Sequence, residues 1–234
     1  MKKLLLLFLL LNVISLNARS INSHFRLSFH NPHGKEIISA YVENSNIFIE
    51  YSDRTIRQLT FTNSDSSPIM VKRENAILFI RNVAGSFFNE NGDRIENVKK
   101  IMKVNCNSLI EKTIIDRKPF RDGADDTYYI LNIEKPTLSL DGLYVYFLVE
   151  CYVTSDELVK VDLRTGKMIK IFPADYFELI KKGQYKGLFF VGRSEIKGGG
   201  RDIYYYLVNE KNETLKEFDS EYNYKIFKKN SINN

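Results

Sequence analysis

Pro136-Thr-Leu-Ser-Leu-Asp-Gly-Leu-Tyr-Val-Tyr-Phe-Leu148, followed by Leu158-Val-Lys-Val-Asp-Leu-Arg-Thr-Gly-Lys-Met-Ile-Lys170, reads as two consecutive β-hairpins. Asp141-Gly142 is a turn dipeptide, and the residues after it form an aliphatic and aromatic strand. The second stretch alternates into a polar turn at Arg164-Thr-Gly166, then resumes as a strand.

The outline recurs. Without gaps, Pro68-Ile-Met-Val-Lys-Arg-Glu-Asn-Ala-Ile-Leu-Phe-Ile80 lies over Pro136–Leu148. Ile101-Met-Lys-Val-Asn-Cys-Asn-Ser108 lies over Leu158–Thr165 in the same way. Each first segment opens on proline, which suits a strand start or an edge because its missing N–H does little harm there. Tyr204–Phe218 and Ile47–Thr60 repeat the hairpin, so four copies recur at intervals of about 45 to 57 residues. That interval is the length of a four-stranded propeller blade. A blade alone leaves an apolar face bare, and stacking neighbours buries it.

The predicted fold is therefore all-β, a small β-propeller of four to five blades, with a β-sandwich as the structural alternative. Innermost strands are expected at Glu36–Val42, Ala76–Arg81, Leu143–Cys151 and Gly187–Val191. Phe25–Phe29 and Tyr222–Phe227 are two further strand-like pieces, able to form a partial fifth blade or to pair and close the ring. One short helix is predicted near 176–182. Asp175 stands at its N-cap, Glu178 at N3, Lys181 and Lys182 in the last turn, and Gly183 at the stop.

Lys2 and Lys3 precede an apolar run from Leu4 to Leu11, which tails off to the small residues Ala18 and Ser20. That is the pattern of a secretory signal peptide over residues 1–20, leaving 21–234 as a single domain. The run is about half of the roughly 20 residues that a spanning helix needs, so no membrane span is expected after cleavage. Export points to a periplasmic or secreted protein. Removing Lys2 and Lys3 lowers the formal charge from +5 to +3, and losing Arg19 as well lowers it to +2. No run of five or six like charges occurs, so no basic face for nucleic acid is expected. The 16 Phe and 14 Tyr, with no Trp, suit strand faces that pack ring on ring.

Arg57-Gln-Leu-Thr60, then Ser67-Pro68 and Ile77–Ile80, resembles the blade signature of the TolB-like periplasmic β-propellers. In those proteins an R-Q-L-T strand leads into P-x-W-S-P-D-G and an apolar strand. Leu138-Ser-Leu-Asp-Gly142 is similar to the later part of that signature. Met70 and Leu138 stand where the family carries tryptophan, and Lys72–Asn75 replaces one Asp-Gly turn. The resemblance spans roughly residues 36–218. It implies a propeller fold, does not carry over TolB's own role in the cell-envelope Tol–Pal system, and is almost silent about ligand.

Residues that could carry chemistry are few. Cys106 and Cys151 are the two cysteines, and export makes them a disulfide candidate, with two buried thiols as the alternative. Such a bridge would add about 4 kcal/mol by closing its loop. His24, His30 and His33 cluster near the N-terminus around a turn, which suits surface histidines better than a metal site. The acidic loops at 89–93 and 122–126 lack the full calcium-loop pattern. Gly198-Gly-Gly-Arg201 leads into a strand rather than a helix, unlike a phosphate loop. No metal, no cofactor and no catalytic set is expected.

The expected function is therefore a non-enzymatic binding or scaffold protein with a protein partner. The long inserts at 82–99 and 116–134 would build one face of the platform, and Phe120, Tyr128 and Tyr129 would be its aromatic anchors. Alternatives are an immunity-type inhibitor of a toxin or enzyme, and a small hydrolase or lyase with its site at the propeller mouth. Fold alone does not decide among them.

Overall fold

A computed structural model of the protein describes residues 34–88, 94–116, 120–122, 126–128, 133–149, 156–197 and 200–233. The chain divides into two compact units, Met1–Glu36 and Ile37–Asn234, and every described strand lies in the second. Four antiparallel sheets follow one another along it, each a simple meander. The first holds β1 (Ile37–Glu43), β2 (Asn46–Tyr51) and β3 (Ile56–Gln58). The second holds β4 (Asp65–Val71), β5 (Ala76–Phe88), β6 (Arg94–Asn105) and β7 (Glu111–Ile115). A separate hairpin of β8 (Phe120–Asp122) and β9 (Asp126–Tyr128) comes next. The third sheet holds β10 (Ile133–Leu138), β11 (Tyr144–Val149), β12 (Glu157–Asp162) and β13 (Met168–Pro173). The fourth holds β14 (Tyr176–Leu179), β15 (Phe189–Lys197), β16 (Gly200–Val208) and β17 (Thr214–Phe218), and helix α1 (Glu221–Asn233) ends the chain.

Side chains alternate between the two faces of a strand, and that alternation makes the sheets stack. Ile77 and Phe79 of β5 pack toward the first sheet with Ile47, Ile49 and Leu59. Their neighbours Leu78 and Ile80 turn the other way and join Val145, Phe147 and Val159 of the third sheet. Tyr146 and Leu148, between those, meet Phe177, Phe189 and Val191 of the fourth. Three successive sheet-to-sheet cores result. A sandwich has one such core between two sheets; four sheets stacked through three cores are propeller-type blades.

The central strands read as unbroken apolar runs for the same reason. Ala76–Ile80 and Val145–Val149 are buried at every position, because a neighbouring blade covers each face. This corrects the expected strand order. The runs at Ala76, Leu143 and Gly187 belong to β5, β11 and β15, which are second in their sheets, while β4, β10 and β14 come first. The first sheet has no counterpart to those leading strands among the described residues. The Asp65 amide donates to the Ser45 carbonyl in the β1–β2 turn at 2.8 Å, as the Ala174 amide donates to the Asp156 carbonyl just before β12 at 2.8 Å. The β1–β2 turn thus stands where blade three has its turn between second and third strands.

The helix predicted near 176–182 is instead strand β14 followed by a loop. Its cap signals serve other purposes. The Asp175 carboxylate accepts a hydrogen bond from the Ser194 amide at 2.5 Å, which ties it to β15. Phe177 and Leu179 fall on one side of an extended chain and enter the core against blade three, so packing overrides local propensity. Gly183 takes φ +76° within the loop. The helix lies at 221–233, where Tyr222–Phe227 reads as a strand in sequence, so that piece does not pair to close a ring. Ser220 starts it, accepting from the Asn223 amide on Oγ at 3.3 Å, and Glu221 pairs with Lys225 one turn on at 2.8 Å. Phe25–Phe29 lies outside the described residues.

Candidate functional site

β14 is the leading strand of the fourth sheet, with β15 on one side. Along it lies a cavity of about 590 Å³, lined by Tyr176, Glu178 and Leu179 of the strand, by Lys181 and Lys182 beyond it, and by Thr137 of β10. The walls come from the leading strands of two adjacent blades, where a propeller has its central channel. Backbone alternation sends Phe177 and Leu179 toward blade three and Tyr176 and Ile180 toward the far face of blade four. The strand therefore presents its edge to the cavity.

Among the described residues the lining carries one carboxylate and two ammonium groups. Glu178 accepts a hydrogen bond from the Tyr176 hydroxyl at 3.2 Å and pairs with Lys228 of α1. Burial works against the charge on Lys228, yet the hydrogen bond and attraction to Glu178 outweigh it, and its pKa stands above the usual lysine value. Lys181 and Lys182 are exposed at the rim. With its carboxylate already matched by Lys228, the cavity presents net positive charge, apolar walls and a strand edge. Among the described residues no group of three or more His, Cys, Asp or Glu is placed to hold a metal ion.

A smaller cavity of about 180 Å³ opens between the turns of blades three and four, beside Ser139, Asp141, Tyr146, Lys160 and Glu210. Its polar groups satisfy one another. Lys160 pairs with Glu210, Tyr146 donates to the same carboxylate at 3.1 Å, and the Lys160 ammonium sits 3.9 Å from the Tyr144 ring centre. Burial, then the Glu210 charge, pushes the Tyr146 phenol up. The Ser-Leu-Asp-Gly motif is the turn itself. Asp141 accepts from the Ser139 hydroxyl at 2.6 Å and from the Leu143 amide at 3.0 Å, which lowers its pKa, and Gly142 supplies φ +71°. In blade two Asn75 makes the matching left-handed turn at φ 47°. The motif that carries the family resemblance is thus turn chemistry.

The anchors expected from sequence are partly placed. Phe120 and Tyr128 are direct cross-strand partners in the β8–β9 hairpin; their side chains, and Tyr129 altogether, lie outside the described residues. In a meander the turn after the second strand and the exit from the fourth share one end. The β5–β6 hairpin, which pairs out to Phe88 and Arg94, therefore shares an end with the β8–β9 insert, as does β15–β16, which pairs out to Lys197 and Gly200. Cys106 is an unbridged, fully buried thiol. It sits in the core between blades one and two with Ile37, Ile49 and Val104, and burial pushes its pKa up to about 11. Cys151 lies outside the described residues, as do His24, His30, His33 and the 89–93 loop. Sequence reading missed both the cavity and Lys228. The only local signal for either was the lysine pair at 181–182.

No protein-family model matches the chain, and no curated protein matches it. Among solved structures it is similar to TolB from Acinetobacter baumannii, at 14% identity over 80% of this chain and 42% of that one, TM-score 0.46. It is similar to the tricorn protease at 13% identity over 75% of this chain and 15% of that one, TM-score 0.49. The β-propeller domain of the Trilobed protease from Pyrococcus furiosus matches at 15% identity over 66% of this chain and 42% of that one, TM-score 0.41. The chain spans less than half the length of each. Sheet order and the three inter-blade cores are what define the fold here as propeller-type.

Proposed function

We propose that the protein is an exported binding module that holds an extended segment of a partner protein along β14. The observation that carries this reading is the cavity beside a leading strand. A sheet edge offers a row of backbone donors and acceptors to an incoming strand, and flanking pockets read alternate side chains. The strand edge at Glu178–Ile180, with Lys181 and Lys182 at the rim, suits an extended peptide better than a small polar metabolite. Among the described lining residues Glu178 supplies the carboxylate and is held by Lys228, whereas hydrolysis by paired acid and base needs two groups tuned apart. Export rests on the leader-like residues 1–20. The β8–β9 hairpin, with Phe120, Tyr128 and Tyr129, is proposed as a second contact for the same partner.

The test is affinity capture of the mature protein from its native envelope or culture fluid, comparing wild type with Thr137→Arg, which fills the cavity from β10. A partner that falls at least tenfold with Thr137→Arg, and is retained by the exposed-helix control Tyr222→Ala, supports the reading. Equal recovery by wild type and Thr137→Arg, at equal thermal stability, sinks it. Tyr128→Ala with Tyr129→Ala tests the hairpin contact separately, by the same recovery.

A further inference from the structure

The two ends of the β14 edge differ in charge. The Ile180 amide donates to the Leu188 carbonyl at 2.9 Å, and Phe177 and Leu179 stand opposite Val191 and Phe189. In an antiparallel ladder, hydrogen-bonded and non-hydrogen-bonded pairs alternate. Tyr176, Glu178 and Ile180 therefore turn their backbone groups to β15, while Phe177, Leu179 and Lys181 turn theirs to the cavity. Among the described residues no strand pairs with that side. Within the strand, Glu178 is held by the Tyr176 hydroxyl and by Lys228. Past the C-terminal end of the strand, Lys181 and Lys182 line the cavity. Both are exposed, and no carboxylate among the described residues pairs with either. From Leu179 to Ser194 the sequence has no Asp or Glu, and Lys186 adds a third exposed ammonium to the same loop.

We infer that the segment β14 receives is an acidic strand of a partner protein, lying antiparallel, with Asp or Glu at its N-terminal end over Lys181 and Lys182. This rests on the reading of β14 as a docking edge, and adds the chemistry and the direction of what docks. Every strand pair around the cavity is antiparallel, and antiparallel pairing is also the commoner and slightly the more stable mode. A strand running opposite to β14 brings its N-terminal residues beside the two lysines. A lipid headgroup or a nucleic acid would meet the lysines alone, since neither supplies the donors and acceptors that the Phe177 and Leu179 backbone groups take. The rim also discriminates, because a basic segment would set like charges against Lys181 and Lys182.

The experiment pans a display library of random peptides of about ten residues, the upper length of an ordinary strand, on the mature protein. Counter-selection uses Thr137→Tyr, which fills the cavity from β10 without adding charge. The expected result is a set of Thr137-dependent peptides enriched in Asp and Glu toward their N-terminal ends. Lys181→Gln with Lys182→Gln should bind a selected peptide about three- to tenfold more weakly at low salt, because exposed ion pairs are individually weak. That gap should narrow as salt rises. Lys181→Glu with Lys182→Glu should select peptides bearing Lys or Arg instead. Both lysines are exposed, so their variants decide the question even where Thr137→Tyr melts early. Thr137-dependent peptides with no acidic preference overturn the inference and leave strand docking standing. So do peptides whose acids gather at the C-terminal end, or whose binding the Lys→Gln pair leaves unchanged. No Thr137-dependent peptide at all, with or without lysine-dependent binding to phosphatidylglycerol vesicles, sinks the inference and the docking reading together.

Discussion

Replacing Phe189 by Ala should remove much of the protein's stability. Phe189 is 1% exposed and stands at the centre of the core between blades three and four. Its ring meets Tyr146 edge-on at 5.1 Å, Phe172 edge-on at 5.8 Å and Phe177 at 6.4 Å. A buried Phe→Ala change costs about 3–5 kcal/mol in lost transfer energy and residual cavity. Edge-to-face ring pairs add about 0.5–1.5 kcal/mol each beyond area. The site cannot collapse easily, because its walls come from two sheets whose other faces are themselves packed. The upper half of the range, about 4–5 kcal/mol, is the expectation. Against a typical total of about 5–15 kcal/mol, that leaves a marginal fold. The assay is guanidinium unfolding followed by tyrosine emission, which is usable because the chain has 14 Tyr and no Trp. Phe189→Leu keeps most of the volume but loses the two edge-to-face pairs, so it should cost about 1–3 kcal/mol, less than Phe189→Ala. A loss below about 1 kcal/mol for Phe189→Ala, at unchanged denaturant slope, would refute the claim that this interface is close-packed.

Further expectations follow the same reasoning. Arg81→Ala should cost about 3–5 kcal/mol by thermal or denaturant melting. Its guanidinium bonds Asp65 through Nε at 2.7 Å and holds Glu111 as well, and removing it strands a carboxylate that is 0% exposed. Gly142→Ala should cost about 1 kcal/mol, through the left-handed φ of +71° rather than through a clash, since the added Cβ would come no closer than 3.9 Å to Leu138; a neutral melt would contradict this. Cys106 should resist thiol reagents at pH 8 until the protein unfolds. Its thiol ionises more readily in the unfolded chain, so its contribution to stability is complete below about pH 9 and is lost as pH rises toward about 11. A melting series over that window should show the fall, and Cys106→Ala should make it shallower, the remainder coming from buried phenols such as Tyr146 whose pKa is also raised. Mass spectrometry of the exported chain should place its first residue at Arg19 or Ile21; an intact N-terminus would remove the export reading.

The repeat in the sequence was enough to read a small propeller of four to five blades, because each hairpin carries its own local signals. Asp141-Gly142 sets a left-handed turn that neighbouring Ser139 and Leu143 complete, and period-2 alternation marks each strand's two faces. Those are short-range physics and need no partner. Tertiary structure decided what depends on neighbours. Asp175 to Gly183 has every local mark of a helix, yet Phe177 and Leu179 gain more by burying against blade three. Tyr222 to Phe227 alternates like a strand, yet as a helix it sets Tyr224 and Phe227 on one side, over the far face of the fourth sheet. The strand order was misread because an unbroken apolar run such as Val145–Val149 says that both faces are buried and not where in the sheet it lies. The candidate site was illegible for the same reason. Thr137, Glu178 and Lys228 are far apart in sequence, and only the stacking of blades three and four and the return of α1 bring them together. Sequence alone determined the blade, and packing between blades determined the channel edge and its charge.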